Sequence, residues 1–198
     1  MTSSEFGTLD RRAAVKALLA DRGDLLVVSG LGSSSYDLFD AGDHPGNFYL
    51  WGAMGGAAMA GLGLALAQPR RPVLVLTGDG EQLMGIGSLL TVAARKPGNL
   101  AIAVLDNGHY GETGMQMSHS GLGARLEVIA QGAGIANVTE IADMKGIEAF
   151  GATLKNVQNA PRLARIRIAV GEVERALPPR DGTYLKNRFR AHLGFAVN

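Results

Sequence analysis

Two short apolar runs, residues 73–77 (VLVLT) and 100–105 (LAIAVL), each end in a polar residue flanked by glycine: Gly78-Asp79-Gly80 after the first, Asp106-Asn107-Gly108 after the second. Runs so rich in leucine and β-branched residues read as strands buried on both faces, and such strands belong to parallel sheets covered by helices. The stretch between them has helical composition up to about Ala94, so the unit reads strand, helix, strand. Ligands of open parallel sheets sit beyond the carboxyl ends of the strands. Asp79 and Asn107 are therefore delivered to one edge of the sheet.

The rest of the chain fits an α/β fold on a mainly parallel central sheet. Residues 9–19 read as a first helix with Leu9, Ala13, Ala17 and Leu18 on its apolar face, stopping near Gly23. Residues 25–29 (LLVVS) read as a buried strand, followed by GLGSSS at 30–35 and a helix or turn through Tyr36, Leu38 and Phe39. Residues 47–50 read as extended and 57–67 as helical. Gly61 and Gly63 inside that helix would each weaken it by about 1 kcal/mol, which predicts close approach to another backbone. Further on, 126–133 reads as a short helix, 137–141 as an edge strand, and 143–158 as an amphipathic helix with Asp143 as N-cap. Residues 163–170 alternate, with Arg165 and Arg167 on one side, which predicts a strand near a sheet edge. Pro178 and Pro179 close a single domain of residues 1–179. The remaining 180–198 read as a tail whose Tyr184, Phe189, Leu193 and Phe195 suit contact with a neighbouring subunit.

Composition narrows the function. A net charge of +1 gives no footing for nucleic acid, which needs many clustered cations; Lys186, Arg188 and Arg190 read as a solvated or subunit-facing group. With no cysteine, the chain holds no disulfide, thiolate nucleophile or Cys-ligated cluster of its own. The first residues carry no apolar stretch behind their charges, and the greasiest region, 54–67, falls short of the ~20 residues of a membrane span. A cytoplasmic protein without membrane association is expected.

Gly78 and Gly80 let backbone approach phosphate oxygens, and the helix start behind them offers N–H groups. Asp79 would repel a diphosphate unless a divalent cation stood between them. Magnesium, which takes carboxylate, amide, carbonyl, phosphate and water oxygens, suits Asp79 together with the amide oxygen of Asn107 and a carbonyl beyond it. A lone GDG is more often a simple turn; the second polar element weighs against that here. GLGSSS lacks the third glycine and the acidic ribose anchor of a dinucleotide site. His109 and His119 are candidates for substrate contact or proton transfer, Glu112 for an outward or interfacial role, and His44 and Trp51 for packing or interface.

The pattern of Gly78-Asp79-Gly80 followed after 26 residues by Asn107, within LDNGHYGETGMQ, resembles the diphosphate-binding motif of thiamine-diphosphate (ThDP) enzymes. The adjoining NFYLWGAMGGAAMAGLGLALAQPRRPVLVLTGDGEQLMGIGSL is similar to the beta subunits of phosphonopyruvate and sulfopyruvate decarboxylases and to the C-terminal third of the acetolactate synthase and pyruvate decarboxylase group. The resemblance spans about residues 9–170. It implies a three-layer sandwich of the ThDP diphosphate-domain type, with thiamine diphosphate and Mg2+ as cofactors. By position it implies Asp79, Asn107 and the main-chain carbonyl of His109 as metal ligands, and Gly78, Gly80 and Glu81 as diphosphate lining. Gly30, Leu31 and Gly32 would face the diphosphate from the opposite loop. Gly52 and Met54 would hold the aminopyrimidine and the cofactor's bent shape, and Tyr110, Gly111, Thr113, Gly114 and Gln116 the covering loop.

The implied activity is nonoxidative decarboxylation of a small 2-oxo acid, with Met54 and His109 nearest the chemistry; a carboligase or a noncatalytic cofactor-binding assembly subunit are the alternatives. An oxo-acid–ferredoxin oxidoreductase is disfavoured by the absence of cysteine in this chain. Glu112 departs from the small residue of the phosphono and sulfo enzymes. The glutamate that such enzymes direct at the pyrimidine is missing too: Glu5 and Glu81 are the only glutamates before the Asn107 loop. This implies a separate pyrimidine-binding, alpha-type subunit of similar size, in a heterotetramer or larger assembly.

Overall fold

A computed structural model describes residues 6–197, so Glu5 lies outside the described residues. The two apolar runs form β3 (Val73–Gly78) and β4 (Leu100–Asp106), paired in parallel with Gly78 opposite Leu105. They sit inside a six-stranded sheet with β1 (Leu26–Ser29), β2 (Asn47–Tyr49), β7 (Asn137–Ile141) and β8 (Arg162–Arg167), in the order β2-β1-β3-β4-β8-β7. Every pairing in it is parallel.

Alternation along the strands supplies two cores. Leu74, Leu76, Ala101, Ala103 and Leu105 point to one face, under α1 (Arg11–Leu18), α2 (Ser33–Asp40) and α7 (Met144–Thr153). Val73, Val75, Leu100, Ile102 and Val104 point to the other, under α3 (Ala57–Ala67), α5 (Ser88–Arg95) and α6 (Leu126–Gly132). Helix, sheet and helix make the three layers, and the inner strands have no solvent face, as their unbroken apolar runs require.

Several expectations are corrected. The helix expected to run to Ala94 is two helices, α4 (Asp79–Met84) and α5, and Gly85, the C-cap of the first, lies so near Gly55 that a Cβ there would be 2.1 Å from the Gly55 carbonyl oxygen. That is the close backbone approach expected of Gly61 and Gly63. Gly61 instead accommodates the side chain of Val75, and Gly63 faces open space. The amphipathic helix is shorter than expected, ending at Thr153, although Asp143 caps it by accepting from the Gly146 N–H at 2.7 Å. The charged row of β8 lies one strand in from the edge, where Arg165 pairs with Asp106 at 2.5 Å, Glu127 at 2.9 Å and Glu140 at 3.2 Å.

The segment past Pro179 forms α8 (Gly182–His192), capped by Asp181. It folds against the chain's own β2, with Leu185 in one core and Phe189 in the other, so it covers the sheet edge. Two residues expected to reach a neighbour, Phe189 and Leu193, thus pack within the chain, while Tyr184 and Phe195 stay exposed. Among the described residues no helix is long and apolar enough to cross a membrane.

Candidate cofactor site

Because β3 and β4 end in register, Asp79 and Asn107 flank one cavity of about 400 Å3 at the carboxyl edge of the sheet. Its volume lies within the range of small-molecule sites. Gly78, Gly80 and Glu81 contribute from the first turn, and Leu31 from the loop after β1. Met54 approaches from the loop before α3, and His109, Tyr110 and Gly111 from the segment after β4. Three predicted residues lie off the lining. Gly30 is packed against Glu81, Gly32 sits at the N-cap of α2 with φ 77° beside Glu112, and Gly52 is exposed with φ 73°.

Asp79 is 2% exposed. Its carboxylate accepts from the Ser118 hydroxyl at 2.5 Å and from nearby backbone N–H groups. Burial, and secondarily the charge of Asp106, push its carboxyl up to about 7. An oxygen-seeking divalent ion bound there would stabilise its charged form. The Asn107 side-chain oxygen accepts from the His109 N–H at 3.0 Å, and the Asn107 carbonyl lies 2.8 Å from His109 Nδ1. Folded back in this way, the turn stays tight, and Gly108 supplies the φ of 72° it needs. The donor set of carboxylate and amide oxygen therefore fits a magnesium–diphosphate group, and the glycine-lined opening fits its phosphates.

The covering segment is a small hairpin, β5 (His109–Tyr110) against β6 (Gln116–Met117). Thr113 and Gln116 bond each other across its turn at 2.8 and 3.0 Å, while Gly114 takes φ 116°. Tyr110 lays its ring on the GDG turn, so that a Cβ on Gly80 would meet it at 2.5 Å. Glu112 points away from Asp79: it accepts from Ser33 at 3.1 Å and lies 3.5 Å from Arg175, tying the hairpin to α2 and to the C-terminal segment. The His109 ring leans on Phe6. His119 is exposed and off the lining. Trp51 donates to the Pro179 carbonyl at 2.9 Å and packs beside Tyr36.

Glu81 lines the cavity, as expected, and is also engaged behind it. Its carboxylate accepts from the Thr77 hydroxyl and, at 3.1 Å, from the Ala57 N–H. It thereby serves as the side-chain cap that α3, starting after Gly56, does not have locally. Burial raises its pKa against these hydrogen bonds. Sequence reasoning missed Arg11, Ser33, Ser34 and Met84, which also line the cavity. Ser33 and Ser34 lay within the quoted GLGSSS stretch, whereas Arg11 gave no signal, being half of an Arg-Arg pair of the kind that is usually solvated.

Residues 32–174 match the family described as thiamine pyrophosphate enzyme, C-terminal TPP binding domain. The beta subunit of sulfopyruvate decarboxylase from Methanothermobacter thermautotrophicus is 37% identical over 181 residues, covering 91% of this chain and 94% of that subunit. Phosphonopyruvate decarboxylase from Streptomyces viridochromogenes is 39% identical over 183 residues, 91% of this chain but 45% of that enzyme. Among solved structures, the thiamine diphosphate-dependent 4-hydroxybenzoylformate decarboxylase of Rhodococcus jostii RHA1 superposes with a TM-score of 0.70 at 26% identity, over 84% of this chain and 34% of that one.

Proposed function

The chain belongs to the thiamine pyrophosphate enzymes through their C-terminal TPP-binding domain, and we propose that it is the diphosphate-holding subunit of a ThDP- and Mg2+-dependent decarboxylase of small 2-oxo acids. The sulfopyruvate and phosphonopyruvate type of substrate is supported by the names of relatives that match 91% of this chain. The observation that carries the reading is the buried Asp79, which lines one preformed cavity together with Asn107, Gly78 and Gly80. We further propose that residues 1–179 act as one diphosphate-binding domain and that the protein works in the cytoplasm.

In this reading Asp79, the Asn107 amide oxygen and the His109 carbonyl hold the cation. Gly78 and Gly80 keep side chains out of the phosphates' way, and the Tyr110 hairpin closes over them and excludes water. Met54, on the cavity lining, would support the cofactor's ring system, and the Gly52 carbonyl in the same loop would accept from the aminopyrimidine. When bound, thiamine diphosphate supplies a thiazolium that accepts the electron pair left as carbon dioxide departs. The His109 imidazole, held at Nδ1 by the Asn107 carbonyl, is the group on this chain suited to moving a proton at the substrate.

A separate alpha-type subunit of similar size completes the site with the glutamate that the pyrimidine requires, in a heterotetramer or larger assembly. Its support is the match to nearly the whole length of a subunit named beta, together with the exposed Met54 and Met84 at the cavity rim. The test is native mass spectrometry of the complex from its own cells, followed by carbon dioxide release from sulfopyruvate, phosphonopyruvate and pyruvate. A stoichiometric companion and release that needs both ThDP and Mg2+ are expected, with an acidic 2-oxo acid preferred. Full release by this chain alone would overturn the split-site reading.

A further inference from the structure

Three carboxylates border the cavity, Glu81 turned to Thr77 and Ala57, Glu112 turned to Ser33 and Arg175, and Asp79 at its edge, while Arg11 is the one Lys or Arg side chain among its lining residues. That balance is unfavourable for an anionic ligand. One divalent cation offsets only part of a diphosphate's charge once the Asp79 carboxylate is counted with it, and uncompensated charge in a recessed site is costly.

Arg11 opens α1 and is 8% exposed. Its Nε donates to Asp37 Oδ2 at 2.6 Å, and Asp37 is fully buried. Among the described residues this is the only partner of the guanidinium. Its neighbour Arg12 reaches Asp40, at 3.2 Å, and the Glu174 carbonyl, with its Nε 3.9 Å from Asp37 Oδ1. Arg11 also borders a small cleft of about 40 Å3 that adjoins the cavity and shares Ser33, Asn107 and Gly111 with it, but not Met54 or Met84. It therefore stands at the end of the cavity formed by the α2 start and Asn107, away from the methionines.

We propose that Arg11 binds the outer phosphate of the cofactor's diphosphate, with Asp37 fixing the guanidinium so that its two Nη groups face the phosphate oxygens. This rests on the ThDP reading above. A guanidinium held at Nε presents a planar pair of N–H donors, the geometry that matches two oxygens of one phosphate. Pinning also removes most of the side-chain entropy that binding would otherwise cost.

The experiment uses the complex of this chain with its companion. Isothermal titration in Mg2+ compares ThDP, inorganic pyrophosphate and thiamine monophosphate on the wild type, Arg11→Met and Arg11→Lys. Arg11→Met is expected to weaken ThDP and pyrophosphate by roughly 10- to 100-fold and to leave thiamine monophosphate nearly unchanged. Arg11→Lys should recover part of the loss. Because Arg11→Met leaves the buried Asp37 only the more distant Arg12, at 3.9 Å, the Arg11→Met/Asp37→Asn double variant carries the same readout if the single one does not fold. Equal affinities in wild type and variant, or equal weakening of all three ligands, would overturn the assignment. A wild-type complex that binds no ThDP would overturn the cofactor reading itself, and is told apart because the loss then precedes any substitution.

Discussion

Glu81 illustrates how a residue's place in a motif and its partners in the fold diverge. It follows Gly80 directly, and spacing alone turns it toward the phosphates. What captures it is the Ala57 N–H, 24 residues away in sequence, and a hydroxyl on β3. No local pattern announces such a contact. The consequence is measurable, since Glu81→Ala leaves a buried hydroxyl and a helix-start N–H without an acceptor and should cost about 1–3 kcal/mol in urea unfolding of the isolated chain. Gly30 reports on the same carboxylate, because a Cβ there would lie 1.5 Å from Glu81 Oε2. Gly30→Ala should therefore destabilise by displacing Glu81, and the double variant should lose less than the two single losses combined. Strict additivity would mean that the two positions do not share this contact. Asp79 is the opposite case: its burial and its place at a strand end both follow from sequence position.

Among the elements, the strands and α1 were legible because apolar periodicity names them, whereas α8 was not. Its Lys186, Arg188 and Arg190 mask the two apolar residues that matter, Leu185 and Phe189, one turn apart on its inner side. The helix end also brings His192 to His44, with ring centroids 5.3 Å apart, and to Arg71 at 3.3 Å. Arg22, ahead of β1, and Arg188, on α8 itself, act on this pair, and Asp43 and Asp24 offset them in part. Partial burial first, and then these cations, lower both imidazole pKa values. A histidine whose folded pKa is lowered binds its proton more readily in the unfolded chain. Stability is thus unaffected well above about pH 6.5 and falls as pH drops through that value. Asp79, whose raised pKa acts in the opposite sense over this range, contributes to the overall trend, so the test is differential: on going from pH 7.5 to pH 5.5 in thermal unfolding of the isolated chain, the wild type should lose Tm relative to His192→Gln. Identical pH profiles for the two proteins would mean that the pair is not coupled to the docking of α8.

On the scale of the whole molecule, a parallel sheet with two adjacent strand ends bearing Asp79 and Asn107 was readable because βαβ connectivity leaves few alternatives. Half of the proposed active site was not readable in detail, since its remaining groups are assigned to another chain. The surface offered to that chain has a physical signature. α3 contains no polar side chain, and its outer face leaves Met59 44% and Leu66 42% exposed, while Met84 and Leu90 beyond it are 60% and 61% exposed. Large apolar side chains grouped on one face next to a cavity mark an interaction surface more than a solvated one. The isolated chain should consequently bind a hydrophobic dye and self-associate, and both signals should fall to a plateau at one equivalent of the companion subunit. The Met59→Lys/Leu66→Lys variant should lose the dye signal while keeping its circular dichroism, because these side chains are outside both cores. Its affinity for the companion should drop by roughly 30-fold or more, the scale expected when central interface residues become charged. If that variant assembled with wild-type affinity, the companion would have to approach the cavity from the hairpin side, and Glu112 with Arg175 would become the contact to test.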